Sequence, residues 1–317
     1  ALFQDDVKFK DLACAIVDEQ HRFGVHQRLG LSSKGNKADV LVMTATPIPR
    51  TLVLTAYGDM EYSKIDQVPE GRKPVDTRVL PVDKISEVVA ALKRKIDSGC
   101  RAYWVCPLVE ESEKSDLAAA EERFAALQKI FGRDVGLVHG KMKEKEKDAV
   151  MERFKKGELK LLVATTVIEV GVNVPEATVM VIEHAERFGL AQLHQLRGRI
   201  KRGFEASTCI LMYAYPLSET AHQRLNIMKE TEDGFLIAEK DLELRGGGEI
   251  LGTRQSGFSE FRLADMNVHQ NLLHTANQDA KMILELDPNL QTPRGQALRI
   301  LLYLFERDDA VKTYIAG

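Results

Sequence analysis

Four short constellations place chemically able side chains where apolar runs end. The first is Asp18-Glu19-Gln20-His21, directly after ACAIV. Carboxylates at the carboxyl end of a buried parallel strand sit where open α/β sheets bind ligands. There Asp18 can hold a magnesium ion through water, and Glu19 can orient or deprotonate a water attacking a γ-phosphate. A strand ending in a solvated acidic turn is the plainer reading. The second is Thr44-Ala45-Thr46-Pro47, again closing an apolar strand. Its hydroxyls can link a nucleotide site to a neighbouring groove, or simply mark a strand-to-helix turn.

The third constellation is TTVIEVGVNVP (165–175), after LKLLVA. Thr165 and Thr166 offer hydroxyls to phosphates, Gly171 allows close backbone approach, and Asn173 can bond a ribose hydroxyl. A buried turn whose hydroxyls cap the next helix is the alternative. The fourth runs from Gln195 to Arg202, with Arg197, Arg199, Lys201 and Arg202 along it. Basic residues suit a solvated helix end. After a long apolar helix face, and with Gly198 admitting close approach, they also suit arginine fingers for phosphoryl transfer.

These groups need a scaffold, and residues 73–214 supply one. Ile85, Val88, Val89, Leu92 and Ile96 fall at helical spacing, with Asp83 as the expected N-cap and Gly99 past the end. Strands are expected over 101–108, 134–139, 159–165, 178–184 and 207–214. Between them come helices, one beginning at Asp116 and closing at Gly132 with Leu117, Ala120, Phe124 and Leu127 on one face, then 142–156 and 190–201. Continuous apolar strands separated by single helices mark a parallel sheet covered on both faces. The expected class is α/β, a doubly wound parallel sheet.

Residues 1–72 provide two strong strands, 13–18 and 39–45, and one helix near 50–57. That resembles the rear half of another α/β domain. Its exposed edges lead us to expect self-association or disorder in that segment alone. From 215 to 317 the pattern is helical, over 217–231, 233–244, 262–286 and 295–306. Between the second and third of these lies the glycine-rich RGGGEILGTRQSGF (245–258).

Bulk properties narrow the class further. Apolar residues make up 44% and charged residues 29%, ordinary for a water-soluble globular chain. The net charge of −3 gives no overall pull towards nucleic acid, so such contacts must come from local basic patches. Cys14, Cys100, Cys106 and Cys209 contain no CxxC pair and read as small core residues in a reducing compartment. No run approaches the roughly 18 apolar residues of a spanning helix. No secretory signal pattern opens the chain, and the expectation is a cytoplasmic protein without membrane contact.

In this order and at these spacings, the constellations resemble the motifs of superfamily 2 helicases and translocases. Motif II falls at DEQH, motif III at TATP, motif V at TTVIEVGVNVP and motif VI at QLRGRIKR. More closely, DEQHRFGVHQR (18–28), TATPIPRTL (44–52), YWVCPLVEESE (103–113), ERFGLAQLHQLRGR (186–199), GFLIAEKDLELRG (234–246) and EILGTRQSG (249–257) resemble the bacterial RecG family.

That resemblance implies RecA-like lobes of the P-loop NTPase type, one complete and one partial, followed by a helical module. It implies ATP and Mg2+ as cofactors, and duplex and branched DNA as partners. Asp18 and Glu19 would be the magnesium and water-activating carboxylates. Gln20, His21, Gly171, Asn173 and Gln195 would line the ATP site, and Arg199 and Arg202 would reach ATP phosphates. Thr44, Thr46, Thr165 and Thr166 would face DNA or link it to the nucleotide. Arg245, Gly246, Thr253, Arg254 and Gln255 would couple ATP turnover to movement along duplex, within a helical hairpin and loop over about 217–257. A plain flexible connector is the alternative for that glycine-rich stretch.

Three departures stand out. No G-x-x-x-x-G-K-[ST] occurs in the 317 residues, so the chain by itself is expected not to hydrolyse ATP. The family's N-terminal wedge domain has no counterpart here. Lys201 replaces a family Gly, and Gly247 a usual Pro. A transcription-repair coupling translocase shares the post-motif hairpin. A non-catalytic duplex-binding module and a small-molecule kinase are the rivals outside the class, and the kinase lacks its phosphate loop.

Overall fold

Leu161–Ala164 and Ala177–Ile182 are buried at every position, which a strand achieves only when both faces of its sheet are covered. In the computed structural model, residues 4, 7–18, 34, 38–44, 63–65, 67, 70–107, 113–165, 174–200, 205–250 and 269–305 are described, without the side chains of 113–117, 245–250, 270, 271 and 273. They form two compact units, one of Lys64–Leu244 and one of Ala1–Ser63 with Arg245–Gly317.

The Lys64–Leu244 unit holds a six-stranded, all-parallel sheet. Its strands are β3 (Val75–Pro81), β4 (Arg101–Val105), β5 (Val135–Val138), β6 (Leu161–Ala164), β7 (Ala177–Ile182) and β8 (Ser207–Tyr213), in the order β3-β8-β7-β4-β6-β5. Alternate residues feed opposite faces. Ala102, Trp104, Val163, Val181 and Met212 build one core, and Val88, Leu92 and Ile96 of α1 (Ile85–Asp97) with Ala120 and Leu127 of α2 (Glu113–Phe131) cover it.

Tyr103, Val105, Leu162, Met180, Ile182 and Leu211 build the other core. It is covered by Phe154 of α3 (Glu144–Lys155), by Leu190, Leu193 and Leu196 of α4 (Leu190–Gly198), and by Leu225 and Met228 of α5 (Glu219–Glu230). The Tyr103 and Phe154 rings meet at 5.1 Å. This is the covered, doubly wound parallel sheet that the apolar runs require.

Several local expectations need correction. Asp83 does not cap α1, because a 3₁₀ turn over Val82–Lys84 precedes the helix and no side chain bonds its first turn. Helix α2 begins at Glu113, ahead of Asp116. Gly99 and Gly132 do follow their helices with φ of 98° and 68°, the left-handed geometry a glycine terminator uses. Cys106 and Cys209 are buried, but Cys14 is exposed and Cys100 half-buried. Strand β3 carries no continuous apolar run. It lies at the sheet's edge, with Asp76 and Arg78 paired at 2.7 Å on its exposed side.

In the other unit, β1 (Cys14–Val17) and β2 (Asp39–Val42) pair in parallel, Ala15 opposite Val40. The helix expected near 50–57 lies outside the described residues. Helix α6 (Gly234–Ile250) runs beyond the expected end at 244, so Arg245 and Gly246 are helical. Helices α7 (Gln270–Leu286) and α8 (Pro293–Leu304) follow. Among the described residues, no helix is long and apolar enough to cross a membrane.

Helix α8 starts on a local polar knot. Thr292 accepts from the Gly295 N–H, and Asp287 accepts from the Gln291 and Thr292 N–H groups and the Thr292 hydroxyl. These bonds, the Thr292 hydroxyl foremost, hold the Asp287 carboxyl below its ordinary range. A Cβ at Gly295 would run into the Asp287 carboxylate and lie 2.7 Å from the Leu290 backbone. Gly295→Ala should therefore destabilise α8 by about 1–3 kcal/mol, despite the roughly 1 kcal/mol helix preference for Ala over Gly. Hydrogen exchange across 293–304 checks this, and unchanged or slower exchange would contradict it.

Candidate functional site

Parallel strands deliver their carboxyl ends to one edge of a sheet, and helix ends and loops there become the ligand-facing surface. In the six-stranded unit that edge carries Cys106 after β4, His139 after β5, Thr165 after β6, and Glu183 and His184 after β7. His139 and Thr165 are neighbours, because Val138 and Ala164 pair in register. Thr165 is 1% exposed and its N–H donates to the Val138 carbonyl at 3.3 Å. Its hydroxyl and the His139 Nδ1 are both buried with no hydrogen-bond partner among the described residues.

An orphaned buried polar atom costs about 1–3 kcal/mol, so a native fold keeps one only where something compensates. Thr165→Val should leave stability unchanged or raise it, because it replaces that hydroxyl with a methyl of similar shape. If the hydroxyl serves a ligand, the same variant should weaken DNA binding. A melting temperature lowered by several degrees would instead give Thr165 a purely structural role. His139 is a residue that sequence reasoning placed in a strand and passed over. A histidine closing an apolar strand before Gly140 was the available signal.

On the α2 side of this edge, Glu183 is 5% exposed. It accepts from the Trp104 indole N–H and from Arg123 at 2.5 Å and 3.0 Å. The arginine also lies over the Trp104 ring, 5.9 Å from its centroid. Burial, with Glu183 nearby, pushes the Cys106 thiol far up and leaves it inert.

His184 has φ of 49°, a left-handed conformation rare for a residue with a side chain. Its ring meets Glu186 at 3.1 Å, and Glu186 also accepts from the Ala214 N–H after β8. Burial alone would raise the Glu186 carboxyl, but the bonds from His184 and the backbone hold it below its ordinary value. Arg224 of α5 donates to the Phe188 and Glu186 carbonyls. The turn out of β7 is thus tied to β8 and α5 before α4 begins.

Helix α4 separates its polar residues by burial. Leu190, Leu193, Leu196 and Arg197 are buried, whereas Gln195 and Arg199 are half-buried. Arg197 is 2% exposed, and its guanidinium donates to the Met228 carbonyl at 2.6 Å and meets Thr77 Oγ1 at 3.4 Å and His194 Nδ1 at 3.2 Å. It is a packing strut. A Cβ added at Gly198 would meet no protein atom within 4 Å, so packing among the described residues does not require glycine there.

Of the other expected site residues, Asp18 directly follows β1, exposed, and Thr44 lies two residues past β2. Arg245 and Gly246 are in α6, where only their backbone is described. Glu19, Gln20, His21, Thr46, Thr166, Gly171, Asn173, Arg202, Thr253, Arg254 and Gln255 lie outside the described residues. Among the described residues, no cluster of three or more His, Cys, Asp or Glu is placed to hold a metal. A magnesium ion carried largely by water and phosphate oxygens needs only one or two carboxylates, which exposed Asp18 fits.

Comparison with known proteins agrees with this architecture. Residues 83–203 match the family "Helicase conserved C-terminal domain", and residues 231–307 match "ATP-dependent DNA helicase RecG, domain 3, C-terminal". The ATP-dependent DNA helicase RecG of Pasteurella multocida is 51% identical over 298 residues, 92% of this chain and 43% of that protein. RecG of Escherichia coli K12 is 53% identical over 294 residues, 91% of this chain and 42% of that protein. RecG of Bacillus subtilis is 51% identical over 301 residues, 94% and 44% of the two chains. The chain thus spans under half the length of these relatives.

A solved RecG bound to a three-way DNA junction superposes with a TM-score of 0.66 at 45% identity, covering 86% of this chain and 35% of that one. The Mycobacterium smegmatis helicase Lhr bound to ssDNA and AMP-PNP, with a TM-score of 0.52 and 18% identity over 68% of this chain and 31% of that one, shares the fold alone. With its six-stranded unit and the helical segment beyond it both matched, the chain is similar over more than nine tenths of its length to part of the RecG helicases.

Proposed function

We propose that this chain is the motor portion of a cytoplasmic ATP-dependent DNA helicase or translocase that remodels branched DNA, such as stalled forks and Holliday junctions, in recombination and repair. The observation that carries the reading is the sustained identity with RecG helicases across both the six-stranded unit and the helical segment after it. The orphaned Thr165 hydroxyl and His139 nitrogen support it, because they leave hydrogen-bonding capacity free at the sheet's ligand-facing edge.

In this reading Asp18 would hold Mg2+ through water, and Glu19 would orient the attacking water. Gln20, His21, Gly171, Asn173 and Gln195 bind ATP. The metal's contribution is to neutralise phosphate charge. Arg199 and Arg202 stabilise charge developing on the transferred phosphoryl group. Thr44, Thr46, Thr165 and Thr166 contact DNA or relay its presence, and residues 245–255 couple turnover to movement. The 317 residues alone should show no DNA-stimulated ATP hydrolysis, and joined to a RecG phosphate-loop domain they should show it. ATP turnover by the 317-residue chain alone, or no fork-stimulated turnover once joined, would overturn the assignment.

The β1–β2 pair bears on partners. Ile16 is 63% exposed, Leu41 51% and Met43 41%. This apolar surface should drive self-association of the 317-residue chain. Light scattering that shows a strict monomer at micromolar concentration would contradict this.

A further inference from the structure

The β8–α5 junction holds a groove that none of the site residues above uses. Its volume is about 690 Å³, within the roughly 300–1,000 Å³ of small-ligand sites. Val79, Leu217 and Leu225 contribute apolar lining. Tyr213 and Tyr215 add aromatic rings, their centroids 5.2 Å apart and edge-to-face at 81°, with hydroxyls 3.0 Å apart. Tyr215 is 70% exposed, so its ring presents area to solvent rather than to the core. His222, Asn226 and Lys229, spaced four and three residues apart on α5, complete the lining.

We propose that this groove is a stacking site for an unpaired base of a single DNA strand. The inference rests on the DNA-motor reading above. An exposed tyrosine face is worth most to a flat π-system, and a duplex keeps its base faces stacked on one another, so only an unpaired base can use it. His222 and Asn226 lie within 3.4 Å of each other and carry the donors and acceptors that a base edge needs. Lys229, one turn further, supplies a cation for the adjoining phosphate. Glu219 lines the groove on the preceding turn and is unfavourable for phosphate, so a bound strand should run its backbone past Lys229. A peptide could use the apolar floor, but would leave the base-edge donors and the open ring without matched partners.

The test uses the 317-residue chain, a short oligo-dT carrying 5-iodouracil, and a three-way junction with fully paired arms. Tyr215→Ala should weaken oligo-dT binding about 5- to 150-fold, the range for loss of one stacked base. Tyr215→Phe, which keeps the ring, should stay within about twofold of wild type. Photo-crosslinking should map to Tyr213 or Tyr215. Junction affinity should change less than twofold in both variants, and the melting temperature should not move because the residue is exposed. Equal oligo-dT affinity for wild type and Tyr215→Ala, or crosslinks confined to other residues, would overturn the stacking site while leaving the motor reading standing. A wild-type chain that binds neither probe would overturn both.

Discussion

Replacing Arg197 with alanine should cost the six-stranded unit about 3–5 kcal/mol, the range for removing a well-packed buried side chain together with its bonds. Arg197 donates to the Met228 carbonyl at 2.6 Å. Met228 lies in the last turn of α5, where carbonyls lack intrahelical partners and a cation is favourable. Burial lowers the Arg197 pKa, and its proximity to Cys209 and Glu232 partly offsets that. Alanine would leave a cavity and an orphaned carbonyl beneath α5. Arg197→Met keeps most of the stem volume and removes only the charge and its bonds, so it should cost less, about 1–3 kcal/mol. Urea unfolding followed by Trp104 emission reads this unit directly, because the chain has one tryptophan and it is fully buried there. Costs under about 0.5 kcal/mol for both variants would mean that the strut contributes nothing to stability.

This arginine marks where sequence reading stops. In Gln195-Leu196-Arg197-Gly198-Arg199 the two arginines differ by two positions, and nothing in their types separates them. Helical geometry does, turning Arg197 under α5 beside Leu193 and Leu196 and leaving Arg199 half-buried. The central strands were legible because burial on both faces forces uninterrupted apolar runs, as in Leu161–Ala164 and Ala177–Ile182. Edge strand β3 was not, since exposed Asp76 and Arg78 break its pattern. Helix α6 ran past its expected end because three consecutive glycines weaken a helix by propensity without forbidding it. The orphaned His139 nitrogen is invisible in sequence, because it depends on which atoms the neighbouring strand leaves unpaired.

Arg199→Ala should have the larger effect on function, lowering DNA-stimulated ATP hydrolysis by about 10³-fold or more in the chain joined to its phosphate-loop domain, the scale seen when an arginine finger is removed. In the proposed arginine-finger role the guanidinium would act where phosphoryl charge develops, so the loss should appear mainly in kcat. Fork unwinding should fall in the same proportion. Arg245→Ala and Gln255→Ala should behave differently if they act between hydrolysis and movement. Hydrolysis should then stay within a few-fold of wild type while unwinding falls severalfold or more. Arg245 lies in α6, which begins only four residues after α5 ends, and Glu232 in that short connection accepts from the Val75 N–H of β3. In the proposed coupling role, that hydrogen bond would carry a shift of the α5–α6 connection to the edge strand. The measurement is a pair of rates, ATP turnover and fork unwinding, for all three variants at one salt concentration, because DNA affinity is steeply salt-dependent. If Arg245→Ala and Gln255→Ala lose both activities in the proportion seen for Arg199→Ala, residues 245–255 belong to the ATP site or to the fold, and the coupling role is wrong.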